Sequence, residues 1–290
     1  MSVKSFMRKC TVTAAAVLTF GLCLWRMGTV RHPYYEPAMW QYRHLAPVLL
    51  LITVVEAILA VEHALEEIYY GEVMRYAETV TVRLDWPALV GILAGCLFSL
   101  WWMHVRKLPY IRLIVVGLAA LACYLAGFYF TISMDIHISQ LYLPVALRGF
   151  AYAVLSATFM TCLEEIMTFQ HFFQALSVFN MLHMVVGGVM GSALYARGMA
   201  WLMPDNIARY GDVLNPVTVT REGVNAGQYM DMLVPSVMEV SIKQIYGWVL
   251  YACILLLLLF LLYDAPIRRQ FKAMPRWQTL RRNIARSWRL

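Results

Sequence analysis

The sequence predicts an all-α fold, a polytopic membrane helical bundle with about seven transmembrane helices. Two observations support this prediction. Of the 290 residues, 61% are hydrophobic and only 14% are charged, a balance that excludes an ordinary soluble globular protein and a disordered chain. The apolar residues also fall into long runs. A helix needs about 20 apolar residues to cross about 30 Å of hydrocarbon, and these runs reach that length.

Seven apolar runs are long enough to span a membrane and are bounded by charged residues or proline. The predicted spans cover residues 11–29, 46–70, 86–104, 110–131, 139–163, 172–202 and 244–263. The seventh run has the strongest signal. The first has the weakest, because Arg26 directly follows its short apolar core. A signal peptide is the alternative for the first run, although no site of the A-x-A type follows Trp25.

The distribution of charge predicts how the chain is oriented. Residues 264–290 carry eight Lys or Arg against the single Asp264, a difference that equals the net charge of +7. Because cytoplasmic segments of membrane proteins are enriched in Lys and Arg, we expect the C-terminus on the cytoplasmic side of the membrane. Apolar residues from Trp277 to Trp288 recur at helical spacing, which predicts an amphipathic helix on the lipid surface. The lipid bilayer is therefore the expected partner of this tail, and nucleic acid is not.

Three parts are predicted along the chain. Residues 1–45 hold an N-terminal helix and a cytoplasmic link, residues 46–264 a six-helix unit, and residues 265–290 the basic tail. Within the six-helix unit, residues 203–243 form the one substantial hydrophilic insertion, and proline and glycine recur through it. This composition predicts an external loop, which is either a simple connector or a lid.

Ionisable side chains inside the predicted spans are functional candidates, because each costs about 2.5–3.5 kcal/mol at the centre of a membrane helix. On the second run, Glu56, His63 and Glu67 recur at helical spacing and share one face, with Glu62 and Glu66 on a neighbouring face. A buried carboxylate beside a histidine can load and release protons, so this face is predicted to be a proton relay. The alternative places Glu62 to Glu67 at the external end of the helix as solvated carboxylates.

Three further residues are candidates for a polar pathway. Arg148 on the fifth run cannot shed its proton. It therefore needs a carboxylate, an anionic substrate, or carbonyl oxygens freed by a kink at Pro144. Asn180 and His183 on the sixth run complete the predicted pathway.

Two pairs of small residues on the sixth run predict close helix packing. Gly187 with Gly191, and Gly188 with Ser192, are each four residues apart, which lets a second backbone approach closely. His183 lies one turn before Gly187. It is interpreted either as a packing histidine at this interface or as part of the polar pathway.

Other chemistries have less support in the sequence. No hydrolase, ATPase or dinucleotide-binding motif occurs, and the six cysteines stand singly, without a C-x-x-C pair. We therefore expect no enzyme activity, cofactor or bound metal. Two alternatives stay open, an assembly subunit and a membrane metalloenzyme or sensor that gathers a metal from dispersed residues. The residues available for such a metal are His63, Glu66, Glu67, His137 and His171.

A series of short motifs lies between Leu141 and Met199. It consists of Leu-Pro at 143–144, Leu-Arg-Gly at 147–149, Gln-Ala-Leu at 174–176 and Gly-Gly-x-x-Gly at 187–191. Pro-Tyr-Tyr at 33–35, Leu-Asp-Trp at 84–86 and the hydrophilic insertion add to the series. Together these motifs resemble helices ten and eleven of the major facilitator superfamily. More narrowly, they are similar to its fourteen-helix drug:proton antiporter branch in Bacteroides-like bacteria.

The resemblance covers about residues 20–264 and implies one six-helix half of such a fold, the C-terminal one, plus one preceding helix. It also implies transmembrane transport, namely efflux of a drug or other small molecule in exchange for protons. In that family an N-terminal half, with an antiporter motif on its fifth helix, would precede this unit. We therefore expect the unit to be incomplete alone, with either that half or a second copy as its partner. The chain departs from its relatives at His183, where arginine is frequent, and in the link from His104 to Arg112.

Overall fold

The structure, a computed structural model, describes residues 45–106, 110–133, 136–213 and 226–262, together with Tyr42 and scattered positions between 18 and 40. Every regular element in these four ranges is helical, which confirms the all-α prediction for this part of the chain. Most of the first predicted span and the whole basic tail lie outside the described residues, as does the centre of the predicted loop at 214–225.

Within the described ranges, the longer elements are seven α-helices. They are α1 Leu45–Leu59, α2 Glu78–Leu100, α3 Tyr110–Thr131, α4 Tyr142–Ile166, α5 Phe169–Leu182, α6 Gly191–Val213 and α7 Ala226–Leu262. A 3₁₀-helix at Ile138–Leu141 leads into α4. Four π-helical segments interrupt or extend these helices, namely π1 Glu62–Glu66, π2 Tyr69–Val73, π3 Trp101–Arg106 and π4 His183–Met190.

Six stretches of the described chain are long and apolar enough to cross a membrane. In chain order these spans are Leu45–Val73, Thr79–Met103, Tyr110–Thr131, Ile138–Glu165, His171–Arg209 and Leu233–Leu262. They are numbered here as spans 1 to 6. The chain is therefore a multi-pass membrane protein, as its composition predicted.

Where the sequence predicted an external loop at residues 203–243, every residue that the structure describes there, 203–213 and 226–243, is helical. Helix α6 continues through Pro204 to Val213, and α7 begins at Ala226 and continues through Pro235. The prediction treated these prolines as breaks. In a bundle of packed helices, neighbouring groups satisfy the carbonyls that a proline leaves free, so the helices continue past both prolines.

Close packing between α2 and α4 depends on glycine. A Cβ atom at Gly91 would collide with the backbone of Ala146, and one at Gly149 would collide with the backbone of Ala88. A Cβ at Gly95 would lie 2.7 Å from the carbonyl oxygen of Phe150. Without side chains at these points the two backbones can touch, which is how membrane helices associate when apolar burial gives no discrimination.

Span 1 is the most buried of the six spans, with other spans packed around it. Its apolar core includes Leu45, Val48, Ile52 and Leu65, which are all inaccessible to solvent. Spans 4 and 5 lie against it, and the large apolar side chains exposed elsewhere form the outer surface of the bundle. The two buried carboxylates of span 1, Glu56 and Glu66, are thus held inside the bundle, where each needs a partner.

Candidate functional site

A cavity of about 570 Å³ lies between spans 1, 2, 4 and 5. Span 2 contributes apolar and aromatic side chains, among them Trp86, Leu89 and Ile92. The ionisable or polar side chains that line the cavity come from all four spans. They are Glu56, Glu62, His63, Asp85, Arg148, Tyr152 and His183.

The first charged cluster of the cavity is a pair between Glu56 and His183. Glu56 lies in α1 and its side chain is only 5% exposed, whereas His183 is the first residue of π4 and is 35% exposed. The Nδ1 atom of His183 lies 2.8 Å from Oε2 of Glu56. Tyr152 tilts its ring towards the imidazole at a centroid distance of 6.0 Å. The pair therefore joins spans 1 and 5 and opens to the cavity on its histidine side.

Small residues on π4 and α6 leave room for this pair. A Cβ at Gly187 would lie 3.1 Å from Oε2 of Glu56, and a Cβ at Gly191 would collide with the side chain of Ala60. Gly188 lies in open space. The Gly187 and Gly191 pair thus packs against span 1, while the second predicted pair does not share this contact.

That second pair consists of Gly188 and Ser192, and its contact is local. The hydroxyl of Ser192 donates a hydrogen bond of 2.5 Å to the backbone carbonyl of Gly188, one turn earlier in the same span. Such a bond satisfies the serine within its own helix. Ser192 therefore needs no partner from another span.

The second charged cluster is built on Arg148. Its Nη1 atom donates to Oε2 of Glu66 at 2.5 Å, and its Nη2 atom lies 3.0 Å from Oε1 of Glu62. Carboxylates are thus its partners, one of the three possibilities that the sequence left open. Pro144 lies in the first turn of α4, where a missing N–H costs no helical hydrogen bond, so no kink is needed.

Glu66 is the most heavily bonded group of the second cluster. Its side chain is 4% exposed and accepts hydrogen bonds from three tyrosine hydroxyls in addition to Arg148. Tyr124 donates at 2.6 Å, Tyr70 at 3.1 Å and Tyr246 at 3.4 Å. This network therefore ties spans 1, 3, 4 and 6 together behind the cavity wall.

Sequence reasoning placed Glu62 and Glu66 on a secondary face and did not select them, and it missed Tyr124 and Tyr246. The available signals were the need of Arg148 for an acidic partner and the presence of tyrosines inside apolar runs. Periodicity was misleading because π1 and π2 fall in the same helix, and a π-turn shifts every later side chain around the axis.

Two predicted pathway residues lie away from the cavity. Glu67 and Asn180 are both exposed and neither lines it. His63 is also exposed but does contribute to the cavity wall. Of the six predicted pathway residues, the structure thus gathers Glu56, His63, Arg148 and His183 around one space.

Metal binding was one of the alternatives left open by the sequence. Within the described residues, no group of three or more His, Cys, Asp or Glu side chains lies close enough together to hold a metal ion. His137 instead caps the 3₁₀-helix by accepting from the backbone N–H of Ser139, and His171 lies 3.1 Å from the hydroxyl of Tyr42. The residues considered for a metal are therefore dispersed in this part of the chain.

Six apolar spans, four of which enclose a cavity lined by ionisable side chains, define a class of protein, a multi-pass helical membrane protein. Comparison with known proteins adds no narrower assignment. No known protein family matches the chain, and neither does any curated protein sequence.

Proposed function

We propose that this protein is a proton-coupled transporter of a small molecule, with the cavity between spans 1, 2, 4 and 5 as part of its transport path. The observation that carries the proposal is the Glu56 and His183 pair, because it places two titratable groups in contact at the wall of a cavity within the membrane spans. Buried ionisable groups of this kind mark proton relays and substrate pathways in membrane proteins.

The chemistry of the pair suits proton exchange. A carboxylate buried in an apolar helix bundle is costly in its charged form unless a cation or a donor faces it. His183 can supply either, since a neutral imidazole ring carries one N–H donor and a protonated ring is a cation. One proton can thus move between Glu56, His183 and the water of the cavity with little rearrangement of the surrounding helices.

We further propose that transport is efflux of a drug or similar small molecule in exchange for protons, across a bacterial inner membrane with the C-terminus in the cytoplasm. Alternating-access transporters place their substrate near the midplane, between two helical units that rock against each other. Here one unit supplies the charged cavity wall. The facing wall would come from a second helical unit, either another half or a second copy of this chain.

Transport of a fluorescent cation into inside-out membrane vesicles tests this function. With ethidium as the probe, we expect an inward-acidic pH gradient to drive ethidium uptake, and a protonophore to abolish it. Glu56→Gln should remove this uptake because glutamine cannot carry the proton. Uptake that is indifferent to the gradient, or unchanged in Glu56→Gln, would contradict the proposal.

Glu67→Gln is the matched control for this experiment. Glu67 has the same chemistry and lies in the same span, but its side chain is exposed and does not line the cavity. We expect Glu67→Gln vesicles to retain the gradient-driven uptake of the unmodified protein. Equal loss in both variants would show that the effect does not depend on the cavity.

A further inference from the structure

Arg148 joins two carboxylates whose surroundings differ sharply. Glu66 is 4% exposed and is held by three tyrosine hydroxyls as well as by Arg148. Glu62 is 30% exposed and faces the cavity. Among the described residues, its one ion-pair partner is the Nη2 atom of Arg148. One carboxylate is thus fixed by its neighbours, and the other is free to change its charge.

The charge balance of this group favours one bound proton. Two carboxylates face a single guanidinium, which cannot lose its charge, so the group carries one excess negative charge when both acids are ionised. A proton on either acid would neutralise the group. Glu66 is already held by four donors, whereas Glu62 is paired with Arg148 and faces the open cavity. The proton therefore belongs on Glu62.

The other charges around Glu62 act in both directions. Arg148 from span 4 and His63 from span 1 attract its charge, while Asp85 from span 2 and Glu66 from span 1 repel it. His63 on span 1, together with the Glu56 and His183 pair, faces the same cavity. A proton on Glu62 removes the repulsion from Asp85 and Glu66, and it leaves Arg148 paired with Glu66.

From this geometry we infer that Glu62 is a second proton-carrying group of the cavity, distinct from the Glu56 and His183 pair, and that Glu66 is the fixed partner of Arg148. The inference rests on the proposed function for its biological meaning, because a second proton site serves a proton-coupled transporter. Its chemistry is independent of any substrate.

Infrared difference spectroscopy of the purified protein in lipid tests the inference directly. The measurement is made in Glu56→Gln protein, which removes the other carboxyl proton carrier. We expect a carboxylic acid C=O band that grows as the pH falls. This band should disappear when Glu62→Gln is added and persist, with a shifted frequency, when Glu62→Asp is added instead. A band unchanged by Glu62→Gln would overturn the inference, since Asp85 or another acid would then bind the proton.

Glu67→Gln in the same background is the control, and it should leave the band intact because Glu67 lies outside the cavity. The ethidium assay distinguishes failure of the proton site at Glu62 from failure of the proposed transport function. Loss of the band in Glu62→Gln without any gradient-driven uptake would support the proton site and count against transport. Uptake that depends on Glu56, with a band indifferent to Glu62→Gln, would support transport and overturn the second site.

Discussion

The two charged clusters of the cavity differ in how many groups hold them. The Glu56 and His183 pair has two members from spans 1 and 5, and the histidine is 35% exposed. The network around Glu66 draws donors from spans 3, 4 and 6 as well as from span 1, and its central carboxylate is 4% exposed. A charge with one partner can be released by a proton, whereas a charge with four partners is an anchor. The difference teaches that chemically similar residues beside one cavity can be held by very different numbers of partners.

Removal of Arg148 should have the largest effect on stability. In Arg148→Met, Glu66 is left as a buried charge without its cation, a loss that costs about 3–5 kcal/mol in comparable buried pairs. We expect the free energy of unfolding in detergent micelles to fall by that amount, as measured by chemical denaturation.

Restoration of the charge balance provides the control. In the double variant Arg148→Met with Glu66→Gln, the uncompensated charge is gone, so part of the lost stability should return. An Arg148→Met protein as stable as the unmodified one would show that the network is not an anchor, and the contrast between the clusters would then fail.

The tyrosines allow a finer test of the same network. The Tyr124 hydroxyl donates to Glu66 at 2.6 Å and the Tyr246 hydroxyl at 3.4 Å. Both tyrosine side chains are fully buried, so the two variants differ mainly in the length of the hydrogen bond that is lost. A hydrogen bond to a charged group contributes about 1.5–3 kcal/mol. Tyr124→Phe should therefore lower the free energy of unfolding by about that amount, and Tyr246→Phe by clearly less. Equal losses in the two variants would mean that packing rather than the hydrogen bond decides the effect.

Much of the architecture was predictable from the sequence because the length of an apolar run is enough to predict a membrane-spanning helix. The apolar runs at 46–70 and 110–131 match spans 1 and 3 closely. Glu56, Arg148 and His183 were also identified, because an ionisable residue inside an apolar run can be recognised without knowing the geometry of the helix. Those residues proved to be the centres of the two clusters.

The partners of these residues were harder to predict. Choosing between Glu66 and Glu67 requires the angular position of each side chain, and the π-turns of span 1 alter that position without any sequence signal that a 3.6-residue period would detect. Tyr124 and Tyr246 come from helices far away in the chain. Their meeting at Glu66 is a property of the tertiary packing.

The contact between Gly191 and span 1, next to the Glu56 and His183 pair, should respond to a single added methyl group. In Gly191→Ala the new Cβ would meet the side chain of Ala60, so spans 1 and 5 must separate, and overpacking of this kind costs about 1–3 kcal/mol. Gly188→Ala is the matched control, because a Cβ at that position would meet no atom of another span within 4 Å. Thermal unfolding in detergent should show a lower midpoint for Gly191→Ala alone. A comparable shift in both variants would place the cost in the helix itself and not in its contact with span 1.

The smallest effect on stability should come from His183, and it should come with the clearest effect on proton exchange. In His183→Gln the amide can still donate to Glu56, so the buried carboxylate keeps a hydrogen-bond partner. The free energy of unfolding should thus change by about 1 kcal/mol at most, the net contribution of a typical hydrogen bond. Because a glutamine side chain does not take up a proton, gradient-driven ethidium uptake should fall as it does in Glu56→Gln. Strong destabilisation without a transport defect would mean that the pair is a structural contact, and it would reverse the roles assigned to the two clusters.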